Sequence, residues 1–376
     1  MYYASICAIA KDETLDLREW VTYHLAIGFE HIFLYDNNSK IAIRDTLSDF
    51  INSKLVTVIN LDLNESQQLS AYYNCIKLFG DLTFWLAFID IDEFIVPLKD
   101  NDVKDVLDDY KEYAGLGVHW MIFSSNSHIK RPKSPVIYSY IKAIELNKHI
   151  KSIIQPKHVI SPISPHHFKY KNGYFCVNEE KFIIPNFQSY PIANKIRINH
   201  YYYKSQEDFE DKIKRGLATK SKSSNERDIK IFYNHLNLAT FENTDILRLK
   251  EIYDKFNKLT LDHISSTINR YSCSKLLDQI KSLSRLINNR NLEHAQKLLN
   301  RLKRYHKSSD LDLLELYFYI TKHDHEKVKK LFSKCVQEYT SNYSIIQSFY
   351  NALSYYYKIQ GRTIESDSIK IFINKQ

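Results

Sequence analysis

The chain has only 7 glycines in 376 residues, the first of them Gly28. A glycine-rich loop after the first strand, the phosphate cradle of many nucleotide-binding enzymes, is therefore missing. That weighs against a metal-dependent nucleotidyltransferase or phosphohydrolase, classes that use paired aspartates on an α/β rim but commonly carry such a loop. The five cysteines, at 7, 75, 176, 273 and 335, form no CxxC pair. Neither a zinc knuckle nor a disulfide framework is expected; buried thiols in a reducing cytoplasm are the simpler reading. No apolar run approaches the roughly 20 residues that span a bilayer, and the longest candidate, residues 83–89, suits a core strand. The opening Met1-Tyr2-Tyr3-Ala4-Ser5 lacks the charged-then-apolar profile of a secretory signal, which points away from export.

Hydrophobic residues make up 44% and charged residues 26% of the chain, proportions of a folded globular protein, with 28 tyrosines in excess. The net charge of +8 suits nucleic acid, acidic lipids or phosphorylated ligands, and does not choose among them. With no membrane-spanning segment expected, the basic surface is a candidate for docking at the inner face of a membrane.

Residues 5–10 are small and apolar, as in a strand buried on both faces. Leu17, Trp20, Val21, His24 and Leu25 follow at helical spacing, and Gly28 stops the helix. Strands over 31–35, 55–59 and 84–89 alternate with helices over 43–51 and 69–79. Three polar clusters close such strands: Lys11-Asp12-Glu13, Asp36-Asn37-Asn38-Ser39 and Asp90-Ile91-Asp92-Glu93. In an open parallel sheet, ligands bind beyond the carboxyl ends of the strands. Acidic clusters there would repel nucleic-acid phosphates, so no nucleic-acid partner is expected; a basic binding or scaffold protein is the non-enzymatic alternative.

From about 117 to 200, prolines at 132, 135, 156, 162, 165, 185 and 191 predict short strands in an irregular, partly antiparallel half. A helix is expected over 205–216, and residues 220–227 read as a polar loop or lid. The catalytic domain is placed at 1–240 and an all-α domain at 245–376. In the latter, Glu293, Ala295, Lys297, Leu298 and Leu299 match Glu326, Val328, Lys330, Leu331 and Phe332 at an offset close to the roughly 34-residue helical-hairpin repeat. Tyr355-Tyr356-Tyr357 with Gly361, Ile364 and Ile369 would be a third copy. An ordinary helical bundle is the alternative, and either would serve as a module for packing or for docking a membrane or protein complex.

Two aspartates one residue apart on an extended segment project to the same side. Asp90 and Asp92 could thus share a Mg2+ or Mn2+ ion and neutralise the diphosphate of a nucleotide sugar. A solvated turn or helix cap is the plainer role for such a pair, but its place after a fourth apolar strand favours the metal.

Several ordered motifs then carry a resemblance. Residues 6–13 (ICAIAKDE), Glu19-Trp20 with Tyr23-His24, and Tyr35-Asp36-Asn37-Asn38-Ser39 resemble the opening of glycosyltransferase family 92 and its family 2-like bacterial relatives. Residues 88–94 (FIDIDEF) resemble that family's metal motif, and Asn199-His200-Tyr201-Tyr202 with Lys204-Ser205 and 212–216 its closing motif. The resemblance spans roughly residues 3–217 and implies a GT-A fold, a Rossmann-like, mostly parallel α/β sheet. It implies a cytoplasmic enzyme that inverts as it moves a hexose from a UDP-sugar to a hydroxyl of a glycan or lipid-linked glycan, in bacterial surface polysaccharide synthesis. It suggests that Ala8, Lys11 and Glu13 border the nucleotide, that Asp36 meets the base or ribose unless it only forms a turn, and that Asp90 and Asp92 form the metal motif. His200 completes the metal site or sits as a core histidine. Gln68 is a further donor-side candidate, and Lys204, Lys214 and Arg215 could neutralise the diphosphate. For the base that takes the acceptor proton, Glu93, His128, His166, His167, Glu179 and Glu180 are available, with His128, His167 and Glu93 taken as the candidates.

Overall fold

The computed structural model describes residues 2–61, 67–215, 228–258, 283–305, 309–339, 343–363 and 366. Two compact units emerge, residues 1–268 and 269–376. The first is a mixed α/β domain on a ten-stranded sheet, ordered β3-β2-β1-β4-β7-β6-β11-β5 with β10 on β6 and β12 on β7.

Strands β1 (Tyr2–Ala10), β2 (His31–Asp36), β3 (Val56–Asn60) and β4 (Thr83–Phe88) are parallel neighbours. Their two-residue period feeds two cores. Ala4, Ile6, Ala8, Ile32 and Leu34 face one, with Leu17 and Trp20 of the helix Thr14–Ala26. Cys7, Ile9, Phe33 and Tyr35 face the other, with Tyr72 and Cys75 of the helix Gln67–Phe79. Burial on both faces is why these strands read as continuous apolar runs. Gly28, at φ +108°, turns the chain out of the first helix, and a Cβ there would meet the Asp102 carboxylate. The helix expected over 43–51 is two short ones, Ile43–Thr46 and Ser48–Asn52.

Beyond β4 the sheet turns mixed. β5 (Glu93–Pro97) runs antiparallel to β11 (Ile196–His200), which lies parallel to β6 (Gly115–Phe123). β7 (Lys142–Ile154) runs antiparallel to both β4 and β6. These two strands, of 9 and 13 residues, are longer than the proline pattern predicts, because β7 falls between Pro135 and Pro156. A separate ribbon pairs β8 (Val159–Pro162) with β9 (Phe168–Tyr170), while β10 (Cys176–Val177) and β12 (Phe241–Glu242) extend the main sheet.

The domain boundary expected at 240–245 is corrected. Ile246, Leu249 and Tyr253 are buried in the first unit's main core, and Asp254 accepts a 2.7 Å hydrogen bond from the Tyr138 hydroxyl. Amphipathic helical spacing alone could not say which core these residues join. In the second unit the helices Leu292–Tyr305, Ser309–Thr321, His325–Glu338 and Tyr343–Ile359 enclose two small cores, one centred on Leu299 and Phe318 and the other on Val328 and Phe349. The expected loop at 220–227, Cys273 and the third-copy residues Ile364 and Ile369 lie outside the described residues. Among the described residues no helix is long and apolar enough to cross a membrane.

Candidate functional site

Beyond the carboxyl ends of β1 and β4 lies a cleft of about 290 Å³. It contains Lys11, Glu13, Gln68, Asp90, Asp92, His200 and Arg215 of the residues expected from sequence. Ile91, 2% exposed, is buried between the two aspartates. The two aspartates lie not on an extended segment, as expected, but in the turn between β4 and β5, closed by the Glu93 N–H donating to the Asp90 carbonyl at 3.1 Å, and both line the cleft.

The two carboxylates have different partners. Asp90 Oδ1 accepts from Gln68 Nε2 at 2.8 Å and Oδ2 from the ammonium of Lys151 at 2.8 Å. Lys151, on β7, is buried; burial works against its charge, but Asp90 and Glu93 outweigh it and raise its pKa. Asp92 Oδ2 accepts from Lys212 Nζ at 2.6 Å, and its Oδ1 faces His200 Nε2 at 3.5 Å. Burial would raise the Asp92 pKa, yet Lys212 and His200 hold it well below the carboxylate range. The β5–β11 register sets His200 opposite Glu93, which brings a residue so distant in sequence beside Asp92.

Among the described residues no three His, Cys, Asp or Glu side chains converge as a ready metal cage. Asp92 and His200 nevertheless suit a divalent ion as a pair. Their facing atoms, Asp92 Oδ1 and His200 Nε2, stand at 3.5 Å, beyond a normal hydrogen bond and near the roughly 3 Å separating two ligands of one ion; the other ring nitrogen, Nδ1, is buried without a partner among the described residues. Mg2+ is commonly held by one or two carboxylates plus substrate phosphates rather than by an all-protein cage. Asp90 lines the same cleft with its two oxygens engaged by Gln68 and Lys151.

Arg215 pairs with Glu13 at 2.7 Å and donates to the Asp12 carbonyl at 3.1 Å. It thereby ties the helix Gln206–Arg215 to the loop after β1. Burial raises the Glu13 pKa against the pull of Arg215 and Lys204.

Other expected residues lie elsewhere. Ala8 is buried in the core, and the cleft begins one residue later, at Ile9 and Ala10. Asp36 caps its own loop, accepting from the backbone N–H of Ser39 and Ile43 at 2.9 and 3.0 Å. Its neighbour Asn37 lines the cleft instead. Lys204 is buried against Asp16 at 2.5 Å in an adjoining pocket. Lys214 is exposed and paired with Asp211. Of the base candidates, Glu93 is fully buried, its pKa raised well above the usual range by burial. His128 and His167 are outside the cleft lining; the first approaches the Ser139 carbonyl and the second donates its backbone N–H to Ser164 Oγ.

Sequence reasoning passed over Lys151, Lys212, Trp120 and Tyr202 as site residues, and named His166 only among the available bases. Lys212 was findable: it shares a helix face with Phe209 and Arg215 at three-residue spacing, whereas Lys214 points away. Nothing in the local sequence marks Lys151, which reaches the cleft only through the pairing of β7, whereas His166 reaches it from the loop between β8 and β9. His166 Nδ1 donates to the Ile150 carbonyl at 2.8 Å, leaving Nε2 as the ring's acceptor. Burial and Lys151 pull its pKa down to about 4.

The sequence profile described as "Glycosyltransferase family 92" matches residues 2–236. The chain belongs to glycosyltransferase family 92. The match takes in every element that builds the cleft, from β1 to the helix Gln206–Arg215, and stops before the second unit. Similar family 92 proteins occur in Oryza sativa subsp. japonica, 28% identical over 57% of this chain and 35% of that protein, and in Ricinus communis, 30% identical over 57% and 38%. The chain thus aligns with less than two-fifths of the length of these curated relatives. A galactan β-1,4-galactosyltransferase of Arabidopsis thaliana is 27% identical over 29% of this chain and 23% of its own length. Among solved structures, S. aureus TarS 1-349 covers 90% of this chain and 91% of its own at 12% identity, with a TM-score of 0.30, a likeness too slight to bear on the site.

Proposed function

We propose that the first unit is a GT-A glycosyltransferase that moves a hexose from a UDP-sugar to a glycan hydroxyl with inversion, using Mn2+ or Mg2+. One observation carries this reading: a carboxylate held ionised beside His200, with Lys212 and Arg215 at the same cleft, beyond the ends of parallel strands. Asp92 and His200 would hold the ion, which when bound offsets the charge of the departing diphosphate. Gln68 and Lys151 fix Asp90 as an acceptor toward the ribose or a metal-bound water. Lys212 and Arg215 donate to phosphate oxygens. His166, whose Nε2 lone pair is left available by the Ile150 carbonyl, takes the acceptor proton.

The named galactan galactosyltransferase makes UDP-galactose and β-1,4-galacto-oligosaccharides the first pair to test. The proposal extends to a setting in surface polysaccharide or lipid-linked oligosaccharide synthesis, with the helical unit as its docking module. UDP release is measured with several UDP-sugars, with and without sugar acceptors and Mn2+. Acceptor-dependent UDP release with a lengthened glycan product supports the proposal; release of phosphate, or no turnover with any donor, overturns it.

A further inference from the structure

The side of the cleft away from β1 and β2 is walled by rings. Trp120, on β6, lines the cleft and lies 4.6 Å from the His200 ring. His149 stacks on Trp120 at 5.4 Å between centroids and 24° between planes. Phe187 continues the series, 5.8 Å and 26° from His149, and is 42% exposed. His166 stands edge-on to Trp120 at 5.1 Å. Near-parallel rings at these spacings are offset rather than face to face, so each leaves part of its face uncovered.

The wall is built into the backbone. The β6–β7 register passes from His119 opposite Ile150 to Trp120 opposite Asn147, leaving Lys148 and His149 as a bulge beside Trp120. Bulges near active sites re-aim side chains. Here the bulged His149 bridges to Gln188, whose amide donates to His149 Nε2 at 2.9 Å, while His149 Nδ1 donates to Asn147 Oδ1 at 2.7 Å. Phe187 is held by its carbonyl, which accepts from Ile150 N–H at 3.2 Å. A ring series that a bulge and two side-chain bonds hold in place, continuous from the cleft to the surface, suits a ligand longer than one sugar.

We infer that Trp120, His149 and Phe187 form the acceptor subsite, and that the acceptor is an oligosaccharide or polysaccharide chain whose pyranose faces lie along this wall with the reacting hydroxyl toward His166. This rests on the glycosyltransferase reading above. The apolar face of a pyranose ring packs on an aromatic ring, while His166 Nε2, left as an acceptor by the Ile150 carbonyl, offers a hydrogen bond to a hydroxyl. The nucleotide would lie across Asp92, at the β1–β2 end, so the two subsites are separable.

The test uses the full chain and its own fluorescence. Trp20 and Trp85 are fully buried, whereas Trp120 lines the cleft, so a sugar-induced emission change reports on Trp120. Galactose-, glucose- and N-acetylglucosamine-based oligosaccharides of one to four units are titrated into the parent, Phe187→Ala and His149→Ala, with UDP binding measured alongside. Affinity is expected to rise at least about tenfold with length in one series, and the gain to vanish in Phe187→Ala while UDP affinity stays unchanged. No length dependence in any series, or a gain retained in both variants, overturns the subsite. So does loss of binding to phosphatidylglycerol vesicles in Phe187→Ala without any oligosaccharide response, which would make the wall a lipid-facing surface. If UDP fails to bind the parent, the glycosyltransferase reading fails separately from the sugar result.

Discussion

Lys212 Nζ lies 2.6 Å from Asp92 Oδ2, so this cleft carboxylate carries a counter-ion from a helix near the end of the family 92 match. The same ammonium stands 4.0 Å from the centre of the Tyr202 ring. In the proposed function, Lys212 would exchange Asp92 for a phosphate oxygen when a diphosphate enters.

Replacing Lys212 by Met is expected to weaken UDP binding about tenfold, the scale of one charge-assisted hydrogen bond. Lys214→Met, two residues on and paired with Asp211 at the surface, is expected to leave it unchanged. Calorimetric titration of both variants checks the pair. Equal losses would mean that the helix contributes only general positive charge.

Lys151 is surrounded by Asp90 and Glu93, at 2.8 and 3.6 Å. Removing one partner of a buried ion pair leaves the other uncompensated. Lys151→Met should therefore cost about 3 kcal/mol in urea unfolding, with much of it recovered on adding Glu93→Gln, since the Glu93 side chain is fully buried whereas that of Asp90 is 35% exposed. Additive losses in the double variant would argue against the pairing.

Glu19 accepts from the backbone N–H groups of Val136 and Ile137 at 2.8 and 3.1 Å, yet burial raises its pKa from 4.5 to about 7. An acid whose pKa is higher in the folded chain favours folding most while protonated. Its contribution is complete below about 4.5 and declines as pH rises through 7. The thermal midpoint is expected to fall between pH 5 and 8, and Glu19→Gln, which removes the titration while keeping one of the two acceptor oxygens, should flatten that decline. A parallel decline in the variant would assign the effect to other groups.

His166→Gln should lower kcat by at least about 100-fold, the usual share of a general base, with UDP affinity retained. His128→Gln and His167→Gln, both outside the cleft, should turn over within a few-fold of the parent. Steady-state rates with matched UDP titrations distinguish loss of the base from loss of binding.

The donor side of the cleft was legible because its signals are local. A strand buried on both faces is an apolar run, and polar residues at its end mark the rim, so Lys11, Glu13, Asp90 and Asp92 follow from position in the chain. His200 was reachable through its motif. The opposite side is built by pairing between distant strands: Lys151 and Trp120 meet only because β7 turns antiparallel to β4 and β6, and His166 joins them from the loop between β8 and β9. A bulge then sets His149 by a register shift that alternation alone does not predict. Asp36 misled because a turn-capping aspartate and a ligand-binding one have the same sequence signature.

The central claim, a divalent-cation and nucleotide-diphosphate site centred on Asp92, is tested most directly by isothermal titration of UDP into the parent and Asp92→Ala, with and without Mn2+. The parent is expected to bind UDP more tightly with Mn2+, and Asp92→Ala to lose that dependence. UDP binding in Asp92→Ala that is as tight and as metal-dependent as in the parent would contradict the account.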